Sequence, residues 1–280
     1  MFNEMMRAEI WLQDHLESQK GIEDLASRLG YSTSQVRRRF KQCFGLSPSA
    51  YRDSLRLEKA ARLLAFTPLP IQTIATRCGY QNHSAFSRAF QRYHNQTPRQ
   101  YRQAIRLKLG GNPFCMQDTR EAPAFEIQQV PVRHALVTRL YHPTRSSNLS
   151  MLKKWHHHAK GTEGLSERLK NGRMLALMHN IPLPSDTERI DVGPLVNQHE
   201  APGIPVPPSF RVVKVPSQYY ACVALEALED ITDVLHYLIS EGLPAKHYHA
   251  TGEALQVEWA ADDIVMRLPV QKIKKQRYEQ

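Results

Sequence analysis

Apolar residues in the first hundred positions recur every three or four residues, which is the spacing of one helix face. Two segments show this most clearly, and their inward positions are predicted to be Val36, Phe40 and Phe44 in one and Phe86, Ala89, Phe90 and Tyr93 in the other. Further along, prolines separate short β-branched and aromatic runs, which predict strands. The sequence therefore predicts a multidomain chain in which an all-α domain precedes an α+β domain.

The helical part repeats itself at a period of about 50 residues, which indicates one supersecondary unit used twice. The two copies are Gly21–Leu57 and Pro70–Leu107. In each, a glycine, Gly30 or Gly79, follows the first helix, where a left-handed residue commonly ends a helix. Helix, glycine turn, helix is typical of a helix-turn-helix, in which the second helix enters the major groove of DNA.

The start of each predicted helix carries its own signal. Ser32, with Gln35 three positions on, has the pattern of a capping box, and Asn82 can cap the corresponding helix of the second copy. Ser47 and Thr97 each precede a proline, which suits the first position of a helix. These signals predict where the helices of both copies begin.

Each second helix carries a polar stripe at positions i, i+3, i+4 and i+7, which lie on one helix face. Arginine can contact guanine or phosphate, and serine and glutamine can contact several base edges. The alternative is an ordinary solvated face, but the duplication and the clustered charge favour DNA. The candidate DNA-binding residues are Ser34, Arg37, Arg38 and Lys41 in the first copy and Ser84, Ser87, Arg88 and Gln91 in the second. Arg39 points away from the stripe, and we expect it to contact phosphate or solvent.

The second copy resembles the AraC/XylS family of bacterial transcription regulators. The matching positions are Ala75, Gly79, Tyr80, Asn82, Ser84, Phe86, Arg88, Phe90, Thr97, Pro98, Tyr101 and Arg102. The resemblance covers about residues 8–108 and implies two helix-turn-helix units joined by a long helix, about Ser49–Ala65. It adds His83 to the DNA-binding residues by position, and it implies double-stranded DNA and RNA polymerase as partners.

A minority of that family places the DNA-binding domain first and ends in a gyrase-inhibitor-like effector domain, built from two β-α-β-β halves. The second part of this chain is similar in its order of elements. The predicted strands are Arg133–Tyr141, Met174–His179, Ile190–Val196, one or two within Phe210–Leu225, Ala254–Trp259 and Ile264–Val270, and the predicted helices are Asn148–Ala159 and Asp230–Ser240.

Related effector domains often bind cationic or amphipathic ligands at a carboxylate among aromatic residues. By position, that carboxylate is Glu258, and the aromatic candidates are Trp259, Tyr141, Trp155, Tyr219 and Tyr220. A solvated Glu258 with aromatic residues in the core is the alternative. Two further interpretations of this domain stay open: contact with proteins only, or weak hydrolysis of small molecules.

Charge separates the two parts. Of 280 residues, Lys and Arg number 37 and Asp and Glu 27, which gives a net charge of +10. Residues 1–108 hold 18 basic and 8 acidic residues, whereas residues 109–280 hold 19 of each. Excess positive charge confined to one domain indicates a polyanionic partner for that domain.

Composition bears on whether the protein is membrane-bound, secreted or metal-binding. No apolar run reaches the roughly 18 residues of a membrane helix, acidic residues interrupt the N-terminal apolar pattern, and the four cysteines form no CxxC pair. The consecutive histidines 156–158 point about 100° apart on a helix and cannot face one metal ion. We expect a cytoplasmic, monomeric protein that is not an enzyme and has no cofactor, metal or membrane partner. The expected domains are residues 1–108 and 125–280, with a linker at 109–124.

Overall fold

The structure, a computed structural model, divides the chain into two compact units, residues 1–106 and residues 107–280. The residues that it describes are 2–18, 20–111, 122–143, 169, 172–179, 187–197, 206–207, 209–261 and 263–273. The predicted linker therefore lies largely outside the described residues, and so do the predicted helix Asn148–Ala159, Trp155 and the histidines 156–158. The domain boundaries at 108 and 125 stay predictions.

Helices account for almost all of the first 111 residues. They are α1 Phe2–Asp14, α2 Ile22–Leu29, α3 Thr33–Phe44, α4 Pro48–Phe66, α5 Ile71–Arg77, α6 His83–His94 and α7 Pro98–Gly111. In each copy of the repeat, α2–α3 and α5–α6 form the helix-turn-helix, and α4 and α7 follow it. The predicted pair of helix-turn-helix units joined by a long helix is confirmed.

The predicted helix starts are confirmed in atomic detail. The Ser32 hydroxyl accepts a hydrogen bond from the Gln35 amide at 3.2 Å, and the Gln35 side chain accepts one from the Ser32 amide at 3.0 Å. Asn82 Oδ1 accepts a hydrogen bond from the Ala85 amide at 2.7 Å. These bonds satisfy amides that a helix start leaves without an intrahelical partner.

α1 completes the core of the first helix-turn-helix unit. Four of its apolar side chains, and Leu16 just beyond its end, pack against α2, α3 and the start of α4; the four are Met5, Ala8, Trp11 and Leu12. Glu9 is fully buried on the same helix, and its Oε1 accepts a hydrogen bond from the Tyr51 hydroxyl at 3.2 Å. The resemblance began at residue 8, so α1 extends this domain toward the N-terminus.

One arginine in each copy fastens the chain just before the first helix of that copy. Arg52 donates to the carbonyl of Lys20 at 2.5 Å. Its counterpart Arg102 donates to the carbonyls of Leu69 at 2.6 Å and Leu64 at 3.3 Å. Burial lowers the pKa of both guanidinium groups. Arg52 and Arg102 therefore stabilise corresponding parts of the two copies. They occupy equivalent positions in the repeat and have the same structural role.

Among its described residues, the second unit contains an antiparallel nine-stranded sheet. Its strands are β1 Glu126–Val130, β2 Arg133–Pro143, β3 Met174–Met178, β4 Thr187–Val196, β5 Phe210–Val215, β6 Gln218–Leu225, β7 Tyr248–Ala250, β8 Leu255–Ala260 and β9 Asp263–Lys272. All predicted strands are present, and Phe210–Leu225 forms two. The short strands β1 and β7 were not predicted.

The predicted helix Asp230–Ser240 is corrected by the structure. An α-helix, α8, covers Ile231–Tyr237, a π-helical turn covers Leu238–Gly242, and a short helix, α9, covers Leu243–Ala245. The ring of Phe125 lies so close to Gly242 that a Cβ there would meet its Cε1 at 2.9 Å. A π turn widens the helix. Gly242 is the last residue of this turn, and its backbone lies directly against the Phe125 ring.

Strand order is symmetric about the β3–β8 pair. The sheet runs β1-β6-β9-β8-β3-β4-β2-β5, and β7 pairs with β9. Among the neighbouring strands β2, β4 and β3, and again among β6, β9 and β8, the strand that comes last in sequence lies between the other two. The helix of the first predicted half lies outside the described residues, so the duplicated β-α-β-β arrangement stays a prediction.

The sheet is also strongly curved. Arg133 begins β2, which two strands separate from β8, so the two strands would lie about 14 Å apart in a flat sheet. Nevertheless, Arg133 Nη2 donates to Gln256 Oε1 on β8 at 2.5 Å. The sheet therefore curves so that β2 and β8 approach each other on one side. We call this side, which carries Arg133 and Gln256, the inner face.

The two turn glycines provide a test of packing between the repeats. Both have positive φ, 71° at Gly30 and 78° at Gly79, but a Cβ at Gly30 meets no atom within 4 Å, whereas one at Gly79 would lie 2.6 Å from the Leu16 carbonyl oxygen. Gly30→Ala should lower the free energy of unfolding by about 1–2 kcal/mol, and Gly79→Ala by about 1–3 kcal/mol more. Urea denaturation followed by helical circular dichroism measures both. Equal losses would contradict the packing difference.

Candidate functional site

The predicted DNA-binding side chains lie on the outer faces of α3 and α6. On α3, Val36 and Phe40 are fully buried, and every stripe residue is exposed. On α6 the same holds except that Ser87 is half-buried. The exposed residues are Ser34, Arg37, Arg38, Lys41, His83, Ser84, Arg88 and Gln91. The structure thus brings each stripe together on one accessible helix face.

A surface pocket on α6 adds two residues to this face. It has a volume of about 390 Å³ and is lined by Arg88, Gln91, Arg92 and Asn95. Arg92 and Asn95 follow Arg88 at i+4 and i+7, so they continue the predicted stripe toward the end of α6. The sequence prediction omitted them because it ended the stripe at Gln91, seven residues after Ser84.

Arg39 does not face outward as expected. Its guanidinium lies 4.4 Å from the centroid of the Tyr31 ring, and its Nη1 lies 3.7 Å from Glu4 Oε2. The Tyr31 hydroxyl donates to Glu4 Oε1 at 2.9 Å. Arg39 therefore links α3 to α1. The expectation that Arg39 contacts phosphate or solvent is corrected, because α1 supplies a partner that the repeat pattern did not include.

In the second unit, the predicted ligand-binding residues divide between the two faces of the sheet. Tyr219 is 48% exposed and Tyr220 is fully buried, and as neighbours on one strand they point to opposite faces. Glu258 and Trp259 alternate in the same way, and both are buried. Tyr141 is half-buried on β2. Of that set, Glu258, Tyr220 and Tyr141 lie on the inner face, whereas Tyr219 and Trp259 lie on the opposite face. The structure therefore does not gather the predicted set around one groove.

Glu258 lies between two arginines. Its Oε1 forms an ion pair with Arg133, and its Oε2 lies 2.6 Å from Arg267 Nη1. Its side chain is 3% exposed, so the alternative of a solvated strand-end charge is wrong. Gln256 lies beside this group, and its Nε2 donates to the Tyr220 hydroxyl at 2.8 Å. Burial lowers the pKa of both arginines.

A second buried carboxylate, Asp191 on β4, lies on the same face. Arg139 holds it with two hydrogen bonds of 2.7 Å each, Arg211 donates to Oδ2 at 2.7 Å, and His179 Nε2 lies 2.8 Å from Oδ2. Burial alone would raise the pKa of Asp191, but the contacts with Arg139 and His179 hold it well below the usual value. No local sequence pattern indicates this cluster, because its members come from four different strands or strand ends.

In the described part of the chain, no group of three or more His, Cys, Asp or Glu side chains is arranged to hold a metal ion. None of the helices described is both long enough and apolar enough to cross a bilayer.

The Asp191 cluster should dominate the stability of the second unit. Asp191→Asn leaves Arg139 buried without its counter-charge, so the free energy of unfolding of this unit should fall by about 3–5 kcal/mol. Asp263→Asn is the matched control, because Asp263 pairs with Arg173 at the surface, and it should cost about 1 kcal/mol or less. Urea denaturation of the full chain, with the second unit followed by hydrogen exchange, compares them; similar losses would contradict this ranking.

Comparison with known proteins identifies the first unit. A family model described as a helix-turn-helix domain matches residues 25–104. The transcriptional regulator Rob of Salmonella typhimurium is 36% identical over 95 residues, which are 34% of this chain and 33% of Rob. The transcriptional activator RhaS of Escherichia coli is 37% identical over 93 residues, 33% of this chain and 34% of RhaS. The chain thus matches about a third of the length of these relatives.

A solved structure is also similar over this part of the chain. It is a transcriptional regulator of Chromobacterium violaceum, described as one of the AraC-type DNA-binding domain-containing proteins, and it is 32% identical to this chain. The match covers 36% of this chain and 91% of that one, with a TM-score of 0.35. By the family match and the identity to Rob and RhaS, the first unit of this chain is a helix-turn-helix DNA-binding domain homologous to the corresponding parts of those two regulators.

Proposed function

We propose that the whole chain is a sequence-specific transcription regulator, in which residues 1–108 bind double-stranded DNA and the second unit senses a small molecule. The observation that carries the proposal is the pair of exposed polar stripes on α3 and α6. A duplicated helix-turn-helix with both second helices accessible can place each of them in a major groove. The proposal includes a monomer that contacts RNA polymerase, as the family resemblance implies.

The charges of the first unit divide into two sets that support this function. Arg52, Arg102 and Arg39 contact protein groups and hold the helices together. Arg37, Arg38 and Arg88 stand exposed on the outer faces of α3 and α6. The second set is available for DNA, where arginine can contact guanine with two hydrogen bonds or neutralise a phosphate.

The ligand-sensing part of the proposal rests on the inner face of the second unit. Buried ionisable groups from distant strands converge there. Because ionisable groups are costly to bury, their presence in the interior indicates that they are paired or have a function. A ligand that contacts them differently in two states of this unit could shift DNA binding by its differential affinity. The ion pairs of Glu258 oppose the specific prediction of a cationic ligand, because a cation there would meet two guanidinium groups.

The first test is DNA binding by a fragment of residues 1–108. Because the fragment retains the whole charge excess, it should retain most of the DNA affinity of the full chain. The affinity should fall steeply with salt, with a log–log slope of about −0.9 for each phosphate neutralised. Fluorescence anisotropy with labelled duplex DNA over a range of salt concentrations measures both. Binding that ignores salt, or that requires residues 109–280, would overturn the assignment.

A second test separates base recognition from helix packing. Arg38→Ala and Arg88→Ala should each weaken binding to the preferred sequence by about 1–3 kcal/mol and relax the preference at a few base pairs. Arg39→Ala should lower the stability of the first unit and leave base preference unchanged, because Arg39 contacts Glu4 and Tyr31. Selection from random duplex DNA, followed by anisotropy and thermal unfolding, measures the three variants. A changed base preference in Arg39→Ala would contradict its structural role.

A further inference from the structure

The inner face of the second unit carries more buried positive than negative charge around Glu258. Two guanidinium groups, those of Arg133 and Arg267, contact this single carboxylate. Their side chains are 14% and 18% exposed, compared with 3% for Glu258. The carboxylate is therefore the deepest member of the group, and one positive charge nearer the surface is left without a counter-charge among the described contacts.

The same two arginines have hydrogen-bonding capacity left over. In the part of the chain that the structure describes, Nε of Arg133 and Nε of Arg267 are buried and have no hydrogen-bond partner. Arg133 uses Nη2 to donate to Gln256, and its guanidinium lies 5.8 Å from the centroid of the Tyr220 ring. Leaving a buried donor unsatisfied is unfavourable, so both Nε–H groups favour an acceptor.

A second group on the same face has the same sign of charge. Arg139 and Arg211 both bind Asp191, so two guanidinium groups again share one carboxylate. Nη1 of Arg211 is buried and has no hydrogen-bond partner among the described residues. Two clusters on this face thus each join two guanidinium groups to one carboxylate, and each contains a buried donor that has no partner among the described residues.

These features select the charge of a ligand. Two arginines already neutralise Glu258, so they would repel a cation placed near it. A carboxylate or phosphate would instead be attracted by the one positive charge that Glu258 leaves unbalanced. Guanidinium groups also match the planar oxygens of carboxylate and phosphate with paired hydrogen bonds. The half-buried side chains of Leu177, Leu195 and Val213, on the same face, can contact an apolar portion of such a ligand.

We infer that the inner face binds a small organic anion, with a carboxylate or phosphate group held by Arg133 and Arg267 and with Glu258 as the residue that positions both arginines. The inference rests on the proposed ligand-sensing function and reverses the ligand charge that the family resemblance suggested. The Glu258 carboxylate fixes the arginines from the buried side, and the anion contacts the part of each arginine side chain that is still exposed.

The test uses four probes with the same alkyl chain and different head groups: octanoate, octyl phosphate, octyltrimethylammonium and octanol. Titration calorimetry on the full chain measures each. Octanoate or octyl phosphate should bind at least about tenfold more tightly than the cation and the alcohol, as expected for one charge-assisted interaction. The stronger of the two anions identifies the head group.

Single substitutions test whether Arg267 contributes to anion binding. Arg267→Gln leaves one arginine for Glu258, so the charge is balanced, and anion affinity should fall about 10- to 100-fold. Arg267→Lys should recover part of it. Lys214→Gln is the matched control, because Lys214 is an exposed cation on the opposite face of the sheet, and it should leave affinity unchanged. Thermal unfolding of each variant shows whether the second unit remains folded.

Glu258→Gln separates the two signs of ligand charge. Because glutamine keeps a carbonyl oxygen that can accept a hydrogen bond from an arginine, an anion site should keep or increase its affinity when the negative charge is removed, whereas a cation site should lose affinity. Tighter binding of octyltrimethylammonium than of either anion, or equal anion binding by Arg267→Gln and the wild type, would overturn the anion inference and leave ligand sensing in place. Binding of none of the four probes would overturn both the inference and the ligand-sensing proposal, while DNA binding by residues 1–108 would be unaffected.

Discussion

A single helix fixes the positions of both DNA-facing helices. α4 has 19 residues and is therefore about 28 Å long at 1.5 Å per residue. It packs against α1 and α3 on the first copy and against α5 and α6 on the second, and side chains along most of its length are buried. Such a spacer cannot change length when DNA is bound. Any mismatch with the spacing of successive major-groove segments must then be taken up by bending of the DNA or by incomplete engagement of one helix.

Features that depend on neighbouring residues could be predicted from the sequence. The caps at Ser32 and Asn82 involve partners three positions away, and the outward stripes follow directly from helix periodicity. Arg39 could not be placed in this way, because its partner Glu4 belongs to α1, outside the repeat. The predicted fold of the first unit was therefore accurate, and its one misplaced arginine reflects a tertiary contact.

In the second unit, more of the structure depends on contacts between residues far apart in the sequence, so less of it could be predicted. Its longer strands were predicted from local β-branched and aromatic runs, but β7, of only three residues, is too short to show a pattern. The charge clusters depend on pairing between distant strands: Arg139 and Asp191 are 52 positions apart, and Arg133 and Gln256 are 123 apart. Glu258 was identified by resemblance, but the sequence did not show the two arginines that set its charge environment.

The contact beneath Gly79 makes the two copies of the repeat inseparable. The Leu16 carbonyl, just before the first copy, accepts a hydrogen bond from Arg56 at 2.8 Å, and Gly79 of the second copy lies directly against both groups. We therefore expect the two copies to unfold together. By the same contact, we expect that a single copy transferred to another protein would expose a surface that the other copy now covers.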